Sequence, residues 1–223
     1  CVNNGIQPII GCQLSLCPSD EYEYIGKKNI TYDKIVLICK NQIGYKNLVK
    51  LVTQSFLDTP VGMEANVQLN DIFNYSEGLI ALTGGYEGPL DRLLLHGKYD
   101  EAEKLLLRLK HHFEDSLYIE IQRHDLDVQK TTEEGLLNIA YSNNIPIVAT
   151  NEAYFLNDKM YEAHDALLCI GEKKLLSDKE RRRVSVNHSF KSSKDMIGVF
   201  SDLPEAIENT INIAKRCNMI VEC

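Results

Sequence analysis

The sequence predicts an α/β protein that is built on a mostly parallel sheet or barrel. Five short apolar runs have the length of buried strands, and segments with a helical spacing of apolar residues separate most of them. This alternation of strands and helices is typical of α/β folds. Hydrophobic residues make up 44% of the 223 residues, which is enough to form a packed core.

The five predicted strands cover residues 7–16, 34–39, 78–83, 117–122 and 145–149. Gly11 in the first of them indicates a bend or a close approach of another backbone. Five strands are too few to close a (β/α) barrel. Because the sequence also lacks an initiator Met, we expect it to be a piece of a longer chain whose first strands lie outside it.

The apolar spacing predicts helices over residues 41–56, 68–75, 89–96, 100–113, 131–142, 159–170, 191–200 and 203–217. In the segment 159–170 one helix face carries Met160, Ala163, Leu167 and Ile170. Residues 17–32 and 58–66 contain proline and glycine among polar residues and are predicted to be loops. No repeat or low-complexity tract divides the chain, so we expect one domain over residues 1–223.

Charge and composition exclude some classes of function. The net charge is −8, from 24 basic and 32 acidic residues, which argues against a free-standing nucleic-acid binder. No apolar run is long enough to span a bilayer, and no signal peptide is visible, so no membrane association is predicted. The seven cysteines are odd in number and form no CxxC pair. Reduced thiols in a cytosolic protein are therefore expected.

One local basic segment remains open to two interpretations. Such a segment is usually a solvated loop, but its cations would also suit a contact with a phosphate backbone or with another subunit. Its six basic residues are Lys173, Lys174, Lys179, Arg181, Arg182 and Arg183.

Chemistry-bearing side chains are few. The sequence contains no P-loop, no GxGxxG after a strand, no GxSxG and no HExxH motif. His124 and Glu152 each follow a predicted strand, at positions where α/β enzymes place active-site residues. Two ligands are too few for a metal centre, so spacing alone favours a polar cleft without metal over an active one.

The other histidines carry weaker signals. His164 lies beside Asp165, but adjacent helical residues do not face each other and make a poor metal pair. The remaining four occupy predicted helix ends or loops and are interpreted as structural, namely His96, His111, His112 and His188.

Several blocks resemble one known family in the same order along nearly the whole chain. They read GIQPIIGCQLSL, KIVLICKNQIGYKNLVKL, EGLIALTGG, YIEIQRH, VATNEAYFLNDKMYEAHDALLCI and DLPEAIENTINIAKRC. They are similar to the PHP (polymerase and histidinol phosphatase) domain found at the N-terminus of bacterial DNA polymerase III alpha subunits. The resemblance implies a distorted (β/α)7 TIM-like barrel of the PHP type, incomplete here because the first strands are absent.

The same resemblance places the remaining motifs outside this sequence. An HxH motif and an Asp-His motif would precede Cys1, and the polymerase palm would follow Cys223. We therefore expect no catalytic residues here. The parent chain is implied to be a DNA-directed DNA polymerase, a nucleotidyltransferase of the bacterial cytoplasm with Mg²⁺ at its polymerase site. It would contact DNA, a proofreading exonuclease, the sliding clamp and the clamp loader.

The departures from the family pattern concern its metal ligands. Metal-binding members carry a glutamate where this chain has Gln13, and a histidine where it has Lys34. Their N-D-x-H-Y block corresponds here to a block with Glu152 and Tyr154, whereas His124 keeps its ligand type. These five residues are expected to form a vestigial PHP cleft without metal or cofactor. In it Lys34 would pair with Glu152 or hydrogen-bond Gln13.

Three functions follow from these observations. The first is a structural domain of a replicative polymerase that docks the proofreading exonuclease. The second is a metal-dependent phosphoesterase or 3′–5′ exonuclease that is active in its own right. The third, an unrelated barrel-type hydrolase, rests on the strand–helix pattern alone, and a fold does not give a function.

Overall fold

Residues 1–17 and 31–220, which the computed structural model describes, form five β-strands and eight α-helices. The strands are β1 (Gly11–Leu16), β2 (Asp33–Cys39), β3 (Leu79–Leu82), β4 (Leu117–Gln122) and β5 (Ile147–Thr150). The helices are α1 (Gln42–Leu57), α2 (Leu69–Asn74), α3 (Pro89–Leu95), α4 (Tyr99–Phe113), α5 (Asp127–Ser142), α6 (Tyr161–Glu172), α7 (Ser193–Val199) and α8 (Pro204–Arg216).

The five strands form one mixed sheet in the order β1-β2-β3-β4-β5. The pairs β3/β4 and β4/β5 are parallel, but β1/β2 and β2/β3 are antiparallel. The α/β class is confirmed, and the expectation of a mostly parallel sheet is wrong for its first half.

The antiparallel pairs follow from the path of the chain. After α1 the chain reaches the start of β2, where Val67 bridges Leu16, which itself pairs with Asp33. Helix α2 then carries it back to the opposite end, so that β3 begins with Leu79 beside Cys39. Because two helices intervene instead of one, the chain enters β3 from the end at which β2 finished. Counting strands and helices in the sequence does not distinguish this path from a parallel crossover.

The sheet is open. Among the five described strands β1 pairs with β2 alone, apart from the single bridge of Leu16 to Val67, and β5 pairs with β4 alone. The TIM-like barrel that the resemblance implies is therefore not confirmed for this chain. Five strands leave two edges that cannot meet without further strands.

The side chains on the two faces of the sheet pack against different helices. Side chains of one face, including Ile35, Leu37 and Ile119, pack with α1, α3, α4 and α5 in the main core. The other face carries Ile80 and Tyr118, on which Ile213 of α8 packs. On this second face the residues become polar towards the C-terminal ends of β4 and β5. That polar end contains the candidate site.

Most predicted elements are confirmed within a few residues. Strand β1 starts at Gly11 and not at residue 7, consistent with Pro8, which has no N–H to donate to a ladder. The interpretation of Gly11 as a close approach is confirmed, because a Cβ there would lie 2.8 Å from the Leu37 carbonyl oxygen. Helix α5 begins at Asp127, four residues before its predicted start.

Two further findings concern a predicted loop and the helices. Most of the predicted loop 17–32 lies outside the described residues, so its conformation stays a prediction. In the described residues none of the helices combines the length and the apolar character needed to cross a bilayer.

Helix α4 allows a direct test of the main core. Leu106 is fully buried, whereas its neighbour Leu107 is 44% exposed. Leu106→Ala is expected to lower the free energy of unfolding by about 2–5 kcal/mol, because it removes packed methyl groups and leaves a cavity. Leu107→Ala should change it by less than about 1 kcal/mol. Urea unfolding measures both values, and equal losses would contradict the assigned orientation of α4.

Candidate functional site

A small polar cavity lies where β3, β4 and β5 end. Its volume is about 130 Å³. A larger groove of about 800 Å³ runs along α5, but it contains none of the five residues predicted from the sequence. The small cavity is lined by Gln13, Val36, Gly84, Tyr86, Glu87, Glu120, Gln122, Thr150, Asn151 and Glu152.

Glu120 is the buried carboxylate of this cavity. It is 4% exposed and accepts hydrogen bonds from Thr150 Oγ1 (2.5 Å) and from the Gly84 backbone N–H (3.1 Å). A weaker bond comes from Gln122 Nε2 (3.3 Å). Burial raises the pKa of Glu120, and these hydrogen bonds act in the opposite direction. The carboxylate thus joins the ends of three strands.

Glu152 keeps a carboxylate at the cleft, but both of its oxygens accept bonds from phenols. Tyr154 donates to Oε1 at 2.6 Å and Tyr86 donates to Oε2 at 3.2 Å. Burial, followed by the neighbouring Glu152, raises the pKa of Tyr86, and burial and the hydrogen bond to Glu152 raise that of Tyr154. Both hydroxyls therefore stay protonated as donors. Glu87 lies nearby, and burial followed by the charge of Glu152 raises its pKa.

Lys34 does not form either expected contact. Its Nζ donates to Ser15 Oγ (2.7 Å) and pairs with Glu64 Oε1 (2.6 Å) in place of Glu152 or Gln13. The strand register explains this correction, since Ser15 lies directly opposite Lys34 whereas Gln13 lies opposite Val36. Hydrogen bonds from Lys34 and Ser15 lower the pKa of Glu64, so this carboxyl is ionised at neutral pH.

His124 is fully buried and stacks on His188, with ring centroids 4.0 Å apart and an interplanar angle of 12°. Its Nδ1 faces Gln129 Nε2 at 3.0 Å, and its Nε2 has no hydrogen-bond partner in the described residues. Burial, then the nearby His188 and Lys191, lower the pKa of His124 to about 3. The imidazole is therefore neutral at physiological pH.

His188 was missed in the sequence, where it belongs to a polar loop. The loop is held at the tip of β5 because the Tyr154 N–H donates to the His188 carbonyl (2.9 Å) and Phe155 bridges Ser189. Ser185 Oγ also donates to the His124 carbonyl (2.7 Å). The imidazole has no hydrogen-bond partner for its Nε2 in the described residues. No sequence spacing indicated this contact, because 64 positions separate the two histidines.

The donor set is a poor fit for a shared metal ion. A metal bound by both His124 and His188 would have to lie in two nearly parallel ring planes at once, whereas zinc ligands converge tetrahedrally. In residues 1–17 and 31–220 no group of three or more His, Cys, Asp or Glu residues is arranged to hold a metal ion. The loss of metal nevertheless stays a prediction.

The structure brings part of the predicted cleft together. Gln13 and Glu152 line the cavity, and Tyr154 bonds Glu152 directly. His124 lies behind the cavity, with its ring centroid 6.4 Å from that of Tyr86. The sequence did offer one unused signal for Glu120 and Gln122. They are polar, two residues apart in an apolar strand, and therefore on the same face.

The basic segment divides into two groups. Arg181 forms a bidentate ion pair with Asp165 of α6 at 2.5 and 2.7 Å, and its side chain is 4% exposed. Its guanidinium is thus already bound within the chain, while the contact of this segment with a phosphate backbone or another subunit stays a prediction. Arg182 is exposed and donates to Tyr154 Oη (3.3 Å). The other exposed basic residues of the segment are Lys173, Lys174, Lys179 and Arg183.

A further acid is buried behind the cavity. Asp91 of α3 is 2% exposed; its Oδ1 accepts a bond from Thr132 Oγ1 (2.5 Å), and its Oδ2 has no partner in the described residues. Burial, with a contribution from Glu120, raises the pKa of Asp91 from 3.8 to about 7. The folded state thus favours the protonated carboxyl. The contribution of this carboxyl to the free energy of unfolding is lost as the pH rises from about 4 to about 7.

Asp91→Asn should remove this pH dependence, because the amide keeps an acceptor for Thr132 and carries no charge. Relative to wild type, the variant is expected to gain free energy of unfolding between pH 4 and pH 8, on the order of 4 kcal/mol. Chemical unfolding across this pH range measures the difference. Asp115→Asn is the matched control, since a hydrogen bond from Ser116 lowers the pKa of Asp115 and predicts the opposite sign. A flat difference curve for Asp91→Asn would contradict the assignment.

Comparison with known proteins gives a consistent result. A family model described as "PHP domain" matches residues 1–124. A protein named DNA polymerase III subunit alpha from Caulobacter vibrioides is 40% identical over 97% of this chain, and the match covers 19% of that relative. Relatives with the same name from Rickettsia bellii and Borreliella burgdorferi are 39% and 32% identical over 97% and 96% of this chain. The chain thus spans about a fifth of the length of these curated relatives.

Proposed function

Because the chain belongs to the PHP domain family, we propose that it is the PHP part of a DNA polymerase III alpha subunit. The observation that carries this proposal is 40% identity over 97% of the chain to a relative of that name. In this proposal the parent polypeptide performs DNA-directed DNA synthesis in the bacterial cytoplasm. The parent polypeptide would hold the expected Mg²⁺ at its polymerase site and would bind the DNA, the sliding clamp and the clamp loader.

The proposed role of the domain itself is structural, together with docking of the proofreading exonuclease. Three contacts support a polar site that no longer holds a metal. Lys34 is an ammonium without a lone pair and is bound to Glu64. The oxygens of Glu152 accept bonds from Tyr86 and Tyr154. Such a network stabilises the ends of the strands without a cation.

A metal-dependent phosphoesterase or 3′–5′ exonuclease remains the second candidate. Its support is the convergence of Glu87, Glu120 and Glu152 on one cavity, together with the Nε2 of His124, which has no hydrogen-bond partner among residues 1–17 and 31–220. Multi-metal hydrolysis requires several such ligands around a bridging water. The stacking of His124 on His188 and the ammonium of Lys34 favour the structural role over this candidate.

Metal content separates the two candidates. The purified full-length polypeptide, dialysed against Zn²⁺ or Mn²⁺ and then against buffer, is expected to retain less than about one equivalent of metal. Multi-metal catalysis would require two or more. Inductively coupled plasma mass spectrometry measures the metal, and a phosphodiester substrate measures hydrolysis. Two or more retained equivalents, or a hydrolytic activity that His124→Ala abolishes, would establish the second candidate instead.

Docking is tested with the proofreading exonuclease of the same organism. The full-length polypeptide is expected to bind it at micromolar concentration or below, and chelator should leave the affinity unchanged because the proposed role needs no metal. Sedimentation velocity and isothermal titration calorimetry measure the association. The absence of any complex at micromolar concentrations of both proteins would rule out the docking role.

A further inference from the structure

Helix α6 presents an apolar face to solvent. Leu167 is 62% exposed and Ile170 is 75% exposed. The helical spacing places Ala163, Leu167 and Ile170 within about 60° on one side of the α6 axis. Met160, the residue just before α6, is exposed as these three are. Water-exposed stripes of this kind mark interaction sites more often than monomer surfaces.

The opposite side of α6 carries the contacts to the rest of the chain. Cys169 is 5% exposed, and Asp165 holds Arg181 of the following segment in the bidentate ion pair. The Arg182 N–H also donates to Glu172 Oε2 (3.2 Å). The segment 173–183 is therefore tied back to the helix that it follows.

The segment 173–183 that follows α6 adds exposed apolar side chains and carries six basic residues against two acidic ones. Leu175 and Leu176 are 69% and 57% exposed. The neighbouring acids are Glu162, Glu172, Asp178 and Glu180. Of these, Asp178 Oδ2 accepts the Leu175 N–H and Glu172 Oε2 accepts the Arg182 N–H. The exposed cations of the segment are Lys173, Lys174, Lys179, Arg182 and Arg183. On a chain with a net charge of −8, this local positive surface is unusual.

We propose that this surface, which we call the α6 face (Met160, Ala163, Leu167, Ile170, Leu175 and Leu176), docks an amphipathic helix of a partner protein whose apolar stripe is flanked by acidic residues. Two packed helices would bury both apolar stripes, and the exposed lysines and arginines of the segment that follows α6 would select acidic flanks. The inference rests on the proposed function in one respect, namely that the domain receives a protein partner.

Two other occupants fit less well. Duplex DNA would satisfy the cations, but its phosphates would leave Leu167 and Ile170 without apolar contacts. A second copy of this chain in a two-fold arrangement would place the α6 face against itself and bring the two basic segments together. An acid-flanked helix satisfies both the apolar and the charged parts of the surface.

The probe is a synthetic, fluorescently labelled peptide of about 18 residues, a length that supports a stable helix. It carries leucines on one face and glutamates on the flanks. Wild-type full-length polypeptide is expected to bind it saturably in the micromolar range. Leu167→Glu/Ile170→Glu should weaken binding at least tenfold, equivalent to about 1.4 kcal/mol. The matched control is Phe56→Glu/Leu57→Glu, in which two residues of α1 that are 71% and 77% exposed are replaced, and it should bind as wild type does.

Charge is tested separately. Lys174→Glu/Lys179→Glu should weaken the binding of the glutamate-flanked peptide more than the binding of a peptide with glutamine flanks. Lys46→Glu/Lys215→Glu changes the net charge equally at exposed positions elsewhere and should have little effect. Circular dichroism confirms that each variant is folded. Equal binding of a scrambled peptide, unchanged binding by the α6-face variant, or no saturable binding would overturn the proposal.

Three further measurements assign the alternatives. Loss of self-association in the α6-face variant, without peptide binding by wild type, would identify a second copy as the occupant. Loss of binding to duplex DNA in the α6-face variant, again without peptide binding by wild type, would identify DNA as the occupant. If the proofreading exonuclease binds wild type and the α6-face variant equally, docking holds but this surface is not its site. If the exonuclease binds neither, the docking role fails while the peptide result still decides on the α6 face.

Discussion

The Glu120 carboxylate is the interaction on which the polar end of the sheet depends. A single side chain with 4% exposure bonds Gly84 after β3 and Thr150 at the end of β5, while lying in β4 itself. Burying a carboxylate is unfavourable unless hydrogen bonds compensate it. Gly84, which donates one of these bonds, also approaches β2 closely, since a Cβ there would lie 1.9 Å from the Lys34 carbonyl oxygen. A side chain at this position would therefore displace the backbone N–H that donates to Glu120.

The same requirement shapes the rest of the cleft. Once a site contains several carboxylates in a small volume, either cations or hydrogen-bond donors must balance them. Here the donors come from the chain itself: two phenols serve Glu152, and a hydroxyl and a backbone amide serve Glu120. Lys34 supplies a full positive charge at the rim, where Glu64 holds it. The carboxylates of Glu120 and Glu152 thus find their donors within the chain, which is the physical basis for proposing a structural role.

The sequence predicted the elements of the fold better than their arrangement. Apolar runs identified each of the five described strands. Asn41, at the predicted start of the first helix, caps α1 by accepting the Ile43 and Gly44 N–H groups. The pairing direction of β2 and β3 depends on how α2 returns the chain, which periodicity does not encode. The candidate site shows the same limit. Glu152 follows a predicted strand and Tyr154 lies in a block that resembles the family, so both were predicted, whereas the contact of His124 with His188 depends on tertiary packing.

Helix α6 shows how one spacing pattern has two physical meanings. The stripe that contains Leu167 and Ile170 predicts a helix in either case, because period alone fixes which residues share a face. It does not determine whether that face is buried in the same chain. In α6 the buried ion pair of Asp165 with Arg181 occupies the inward side, and so the apolar stripe points outward. A charged pair is a costly way to fill an interior position. The ion pair therefore fixes which side of α6 faces the rest of the chain, and the apolar stripe is left on the side exposed to solvent.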